Sequence, residues 1–116
     1  MIVDTGIDII EVDRINKAVQ RWGKAFLGHV FTQEEIDYAQ SHRYPAQHFA
    51  ARFAAKEAVL KALGKNSHVS WKDICIKNDA DGKPLCLYRA DGFTGKIHIS
   101  ISHTQNYAAA SAIITS

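Results

Sequence analysis

Phe49-Ala50-Ala51-Arg52-Phe53-Ala54-Ala55-Lys56-Glu57-Ala58-Val59-Leu60-Lys61-Ala62-Leu63 is the stretch around which the rest of the chain is organised. At about 100° per residue, Phe49, Phe53 and Leu60 share one ridge. Arg52 and Lys56 flank that ridge on one side, Glu57 and Lys61 on the other. The far side is Ala51, Ala54, Ala55, Ala58 and Ala62, a smooth surface against which another element can press closely. A helix that is apolar nearly all round is a buried helix, and a buried charge needs a partner or a metal. Glu57 therefore needs a cation and Lys61 an anion. In the plainer account they satisfy each other as an i, i+4 pair; in the other, each has a target elsewhere in the fold. Both accounts stay open on this stretch alone. Pro45 suits the first helical turn and Gly64 the C′ position, which predicts a central helix from Pro45 to Leu63.

The 116 residues are read as one domain, 1–116. Hydrophobic residues at 47% and charged residues at 22% fit a globular chain. A net charge of +2 is too mild to argue for nucleic acid. No apolar run approaches the roughly 20 residues of a membrane span, and Met1-Ile2-Val3-Asp4 lacks the basic start of a signal peptide. Cys75 and Cys86 sit between apolar neighbours and read as two free thiols, which fits a reducing cytoplasm.

Outward from the central helix, Ile2 to Val12 reads as a first strand that Asp8 interrupts. Aspartate is depleted from strands. By period-two alternation its face also carries Asp4, Gly6, Ile10 and Val12, and Gly6 is expected to leave open space beside Asp8. Asp8 is either an edge carboxylate in water, the partner of a buried base, or a ligand. Asp13 suits the N-cap of a helix starting at Arg14, with Ile15, Ala18, Val19 and Trp22 as its apolar stripe. Arg14, Lys17, Arg21 and Lys24 form a basic stripe on the other face, either simply solvated or a docking surface for an acidic partner. Thr32-Gln33-Glu34-Glu35 is a capping box opening a short helix to Gln40. Beyond Gly64 the period becomes strand-like. Strands are predicted at Trp71–Lys77 and Leu85–Tyr88 around a hairpin turn, at Ile97–Ile101, and at Tyr107–Ile114, which is rich in alanine. The hairpin turn resembles a calcium loop only faintly, because Lys77 stands at the first ligand position. The fold class is therefore α+β, a long central helix packed on a small, mostly antiparallel sheet.

Six histidines show no zinc spacing with the cysteines. His29, His42, His48, His68 and His98 read as surface or turn residues, whereas His103 ends an alternating strand. Adjacent strand residues point to opposite faces, so Ser102 and His103 are poorly placed as a nucleophile and base, which argues against a serine hydrolase. Asp8 on a strand and Glu57 on a helix suit a hard cation such as Mg²⁺, which takes one or two carboxylates together with water and phosphate oxygens. Lys61, with Arg52 and Lys65 nearby, supplies positive charge for such phosphates. Together they describe phosphoryl transfer by positioning and electrostatics. No P-loop or glycine-rich nucleotide fingerprint is present. The rival readings are a binding module whose basic stripe docks an acidic partner, and a small RNA-binding domain. The missing interleaved aromatics argue against RNA.

Gly6-Ile7-Asp8 followed by Phe53-Ala54-Ala55-Lys56-Glu57-Ala58-Val59-Leu60-Lys61-Ala62-Leu63-Gly64 resembles the paired signature of 4′-phosphopantetheinyl transferases, and the short chain resembles their holo-acyl-carrier-protein synthase group. Val12-Asp13-Arg14-Ile15, Gly82-Lys83-Pro84, Ser100-Ile101-Ser102-His103-Thr104 and Tyr107-Ala108-Ala109-Ala110 extend the resemblance along the chain. It implies the phosphopantetheinyl transferase fold. It also implies a Mg²⁺-dependent transfer, with Mn²⁺ as the alternative ion, of the phosphopantetheine arm of coenzyme A to a serine of apo acyl carrier protein, with release of adenosine 3′,5′-bisphosphate, in fatty acid biosynthesis. By position, Asp8 and Glu57 match the metal ligands, Lys61 the lysine that meets the phosphates, and Glu57 a candidate for activating the serine. Arg52, His103 and Thr104 match contacts to coenzyme A. Arg14, with Lys17, Arg21 and Lys24 behind it, matches the docking helix for the acidic carrier. The resemblance further implies a homotrimer with sites between neighbouring chains; the mild charge and the lack of a long apolar run point to neither a nucleic acid nor a membrane as partner. Gly64-Lys65-Asn66-Ser67-His68-Val69 departs from the glycine-rich turn common in that family, and Lys65 is expected to substitute there with a side-chain charge.

Overall fold

The computed structural model describes residues 1–64 and 68–116. The elements run β1 (Ile2–Glu11), α1 (Val12–Trp22), α2 (Lys24–Val30), α3 (Gln33–Gln40), α4 (Pro45–Leu63), a 3-10 turn at Trp71–Asp73, β2 (Ile74–Asn78), β3 (Pro84–Tyr88), β4 (Lys96–His103) and β5 (Tyr107–Thr115). Among the described residues every strand pair is antiparallel. β5 lies between β1 and β4, and β2 pairs with β3 as a separate two-stranded sheet. This is the expected α+β arrangement, and α4 has the expected bounds, with Pro45 in its first turn and Gly64 closing it at a positive φ of 86°. Lys65, Asn66 and Ser67 lie outside the described residues.

Small residues on both sides let α4 lie close on the sheet. Ala54, Ala55, Ala58 and Val59 of the helix are fully buried, opposite a sheet face of Ala108, Ala110, Ala112 and Ile114 on β5. The closest approach is at Gly6. A Cβ there would sit 1.9 Å from the Ala58 carbonyl oxygen and 2.9 Å from the Ala62 nitrogen. The space expected beside Asp8 is thus filled by helix backbone, and glycine is present because only a missing side chain permits that contact. Gly6→Ala is expected to cost about 1–3 kcal/mol through overpacking and, by pushing α4 off β1, to lower any activity needing both elements. Thermal unfolding and turnover measured on one preparation check this.

Three expectations shift. Glu11 rather than Asp13 is the N-cap of α1 and makes no side-chain cap bond; Asp13 lies in the first turn and pairs with Lys17 at 2.9 Å. Trp22, assigned by spacing to the packed stripe, is 55% exposed, with the Arg21 guanidinium 4.9 Å from its ring centre. The segment Trp71–Asp73 is a 3-10 turn in which Ser70 N–H donates to Asp73 at 2.9 Å, so β2 starts at Ile74. The hairpin turn is built by Asp79, whose Oδ1 accepts from Asp81 N–H and Lys83 N–H at 2.9 Å each. That carboxylate is engaged by backbone, as a hairpin requires.

A buried ion pair ties the helices to the hairpin. Lys56 Nζ lies 2.6 Å from Glu35 Oε1, both side chains being fully buried. Lys56 also donates to the Val30 and Trp71 carbonyls at 2.8 and 3.0 Å. Glu35 accepts from Thr32 N–H in the capping box and from Ile76 N–H of β2, each at 2.8 Å. Three protons of the ammonium and three acceptor positions of the carboxylate are thereby matched, which is the condition for burying such a pair. Burial lowers the Lys56 pKa, and Glu35 opposes that shift.

Candidate active site

Asp8, Glu57 and Lys61 converge where β1 meets α4. The central helix turns Glu57 and Lys61 toward β1, and strand alternation turns Asp8 toward the helix. Lys61 Nζ donates to the Ile7 carbonyl at 2.9 Å and to Asp8 Oδ1 at 3.2 Å. Among the described residues the ion pair of Lys61 is therefore with Asp8, not with Glu57 one turn away on its own helix. The Glu57 carboxyl pKa is raised by partial burial and by the Asp8 charge, and Lys61 only partly offsets this. Two carboxylates that repel each other, one held by a half-exposed ammonium, are a donor set suited to a divalent cation of the Mg²⁺ kind.

Arg52 and His103 are brought together on the opposite flank of the helix. Arg52 and Glu57 are five residues apart, about 140° around an α-helix. Arg52 is 5% exposed. Its guanidinium donates to Asn78 Oδ1 at 3.2 Å and lies 4.0 Å from the Tyr38 ring centre, while its Nε finds no partner. No carboxylate forms an ion pair with it among the described residues. His103, at the end of β4, lines the same cleft of about 170 Å³ with Tyr38, His48, Asn78 and Pro84. Thr104, next along, uses its hydroxyl to accept from Tyr107 N–H at 3.1 Å and so shapes the β4–β5 turn. In β-sheet register Asp8 pairs with Ala110 and His103 with Ala108, on opposite sides of β5. Within one chain the Asp8–Glu57–Lys61 group and the Arg52–His103 group thus stand apart.

Sequence reasoning missed two members of the second group. His48 lies 5.5 Å from His103 and is stacked on His42 at 3.8 Å between ring centres, so neither is an ordinary surface histidine. His48 precedes Arg52 by one helical turn, and that spacing was the available signal. His42 joins them only because the chain between α3 and α4 folds back. The basic stripe is fully on the surface: Arg14, Lys17, Arg21 and Lys24 are all exposed on α1 and the start of α2.

A family model described as the 4′-phosphopantetheinyl transferase superfamily matches residues 4–112. The chain belongs to that superfamily. A holo-[acyl-carrier-protein] synthase of Thermodesulfovibrio yellowstonii is 49% identical over 115 residues, covering 99% of this chain and all of that one. The crystal structure of a holo-(acyl-carrier-protein) synthase from Bacillus anthracis, in complex with CoA (3′,5′-ADP), superposes with a TM-score of 0.85 at 36% identity. It covers 98% of this chain and 96% of that one. The Helicobacter pylori enzyme in complex with coenzyme A gives a TM-score of 0.85 at 32% identity over 96% and 99% of the two chains. Within the phosphopantetheinyl transferase superfamily, this chain is an enzyme of the holo-acyl-carrier-protein synthase group. Among its described residues no helix is long and apolar enough to cross a membrane.

Proposed function

We propose that this transferase moves the 4′-phosphopantetheine arm of coenzyme A to a serine hydroxyl of apo acyl carrier protein, as a single cytoplasmic domain serving fatty acid biosynthesis. The observation that carries the reading is the convergence of Asp8, Glu57 and Lys61 where strand and helix meet. In the step, the serine oxygen bonds to the phosphorus that bears the pantetheine. The bond from that phosphorus to its bridging oxygen breaks, and adenosine 3′,5′-bisphosphate leaves. Glu57, its carboxyl raised above the usual range, accepts the serine proton. Lys61, fixed between Ile7 and Asp8, faces the phosphates and opposes the charge that grows on the leaving group. Asp8 and Glu57 would hold Mg²⁺, or Mn²⁺ in its place. When bound, that ion neutralises pyrophosphate charge.

Arg52 and His103 are assigned to the coenzyme A phosphate at the adenosine end, with Thr104 keeping His103 in place. One chain keeps the two groups on opposite flanks of α4, which favours a ligand held by groups from neighbouring copies. That supports a homotrimer with sites between chains. So does the outer face of the sheet, where Val3, Ile7 and Ile9 are 63, 71 and 69% exposed beside Tyr107; so broad an apolar surface marks an interface. Incubation with coenzyme A, Mg²⁺ and an apo carrier is expected to add one phosphopantetheine to the carrier by intact-mass spectrometry. An unchanged carrier mass with every bacterial carrier tried contradicts the reading.

The basic stripe is assigned to carrier docking, with exposed Trp22 beside it. Arg14→Glu is expected to raise the carrier KM on the order of tenfold and leave the coenzyme A KM nearly unchanged, since a peripheral docking charge acts on encounter with its own partner. Equal changes in both constants, measured in steady state at low salt, count against docking.

A further inference from the structure

Around Arg52 the structure gathers groups that the transfer chemistry does not use. His42 Nδ1 lies 2.6 Å from the Tyr38 carbonyl oxygen, and since a carbonyl only accepts, that nitrogen carries the proton and fixes the ring. His48 stacks on this ring at 3.8 Å and an interplanar angle of 30°, and meets His103 edge-on at 5.5 Å. Tyr38 of α3 closes one side, 5.7 Å from His48, and Asn78 of β2 the other. The charges acting on His48 are those of His42 from the α3–α4 turn, His103 from β4 and Arg52 from its own helix. Glu35, which acts on Arg52, is already held in the buried pair with Lys56. A guanidinium with an unpartnered Nε therefore shares a small cleft with two imidazoles, His48 and His103, and His42 is stacked on His48.

We infer that Arg52 and the His42–His48–His103 cluster form a proton-taking subsite for a terminal phosphate monoester, in which His48 gains a proton as the phosphate enters. This rests on the coenzyme A reading above and adds to it how the phosphate is recognised. Without an anion, His48 has no opposite charge to favour its protonated ring. Burial and these neighbours hold the His48 pKa down to about 4. A phosphate dianion reverses the sign of the local field, and an opposite charge within reach favours the protonated ring. The proton comes from solvent, no covalent bond changes, and His48 becomes a second charged donor beside Arg52. A phosphate diester, carrying one charge, gains less from the same cluster. Coenzyme A lacking the 3′-phosphate brings only a hydroxyl there and no charge, so the subsite discriminates between the two forms.

Linkage gives the sign. A complex that binds more protons than its components tightens as pH falls, by up to tenfold per unit for one whole proton. The free phosphate is largely dianionic above its second pKa near 6, so the window from pH 8.0 to 6.5 reports on the protein. Calorimetric titration of the full-length chain with coenzyme A and with dephospho-coenzyme A, in buffers of different ionisation enthalpy, tests the inference. The wild-type chain is expected to bind coenzyme A at least about threefold tighter at pH 6.5 than at pH 8.0, with proton uptake. Dephospho-coenzyme A is expected to show no such slope. His48→Phe keeps a flat ring in the stack and is expected to lose both the slope and most of the preference for coenzyme A, and His48→Asn, which keeps polarity without titrating, is expected to lose the slope too. Coenzyme A binding that is independent of pH, or a slope that survives in both variants, overturns the inference and leaves the transferase reading standing. A chain that binds neither ligand overturns both.

Discussion

Asp8→Ala and Glu57→Ala are each expected to lower transfer by about 10²-fold or more while the protein stays folded. Removing one preorganised electrostatic group from a site of charge development commonly costs that much, and here each carboxylate is proposed to hold the ion and Glu57 to accept the proton. Their effect on stability should run the other way. Glu57 is half-buried next to Asp8, and both influences raise its pKa. For an acid raised on folding, the unfolded chain ionises first, so the native state loses stability as pH rises past the ordinary carboxyl pKa of 4.5. Glu57→Gln removes that penalty. At pH 7 it should therefore unfold no lower than wild type, and the two should draw together near pH 4. Asp8→Ala frees Lys61, whose side chain is 54% exposed and resolvates at little cost. Turnover and melting temperature measured side by side check this. Near-normal turnover in either alanine variant returns that residue to a structural role, and a large fall in melting temperature makes lost activity uninformative.

The second large effect is on folding. Lys56→Met and Glu35→Leu are each expected to destabilise the protein by about 3–5 kcal/mol, because each leaves an unpaired charge or several unpaired backbone groups inside the core. At roughly 4 °C per kcal/mol for a chain of this size, the melting temperature falls about 12–20 °C. The double variant should cost clearly less than the sum of the two, since no charge is then buried alone. Thr32 N–H, Ile76 N–H and the Val30 and Trp71 carbonyls lose their partners in it, so it should still be less stable than wild type. Additive costs in the thermal cycle would mean that the two side chains act independently, contrary to the 2.6 Å contact.

The central helix was legible because its signals agree: proline at one end, glycine at the other, and apolar residues all round. The Thr32–Glu35 capping box and the antiparallel strands were legible for similar local reasons. Asp8 stood out because aspartate is unusual between isoleucines on a strand. What the sequence hid was pairing over distance. Lys56 carries the same demand for a partner as Glu57, yet its partner Glu35 reads as a capping residue and performs both tasks at once. Helix α2 is not legible in the sequence because seven residues barely complete two turns, too few for periodicity to register. Locally Gly6 suggests open space, but a glycine facing an alanine-rich helix marks contact instead. His42 and His48 were invisible as a pair, since only tertiary folding stacks them.

The carboxylates' proposed role is tested most directly by the metal dependence of transfer itself. The intact mass of an apo carrier is followed after incubation with the chain and coenzyme A, once with a chelator and once across a Mg²⁺ titration. The account predicts no mass change with the chelator, full conversion as Mg²⁺ is restored, and little conversion at any Mg²⁺ concentration in Asp8→Ala. Full conversion in the presence of the chelator, or an Asp8→Ala protein that responds to Mg²⁺ as wild type does, contradicts it.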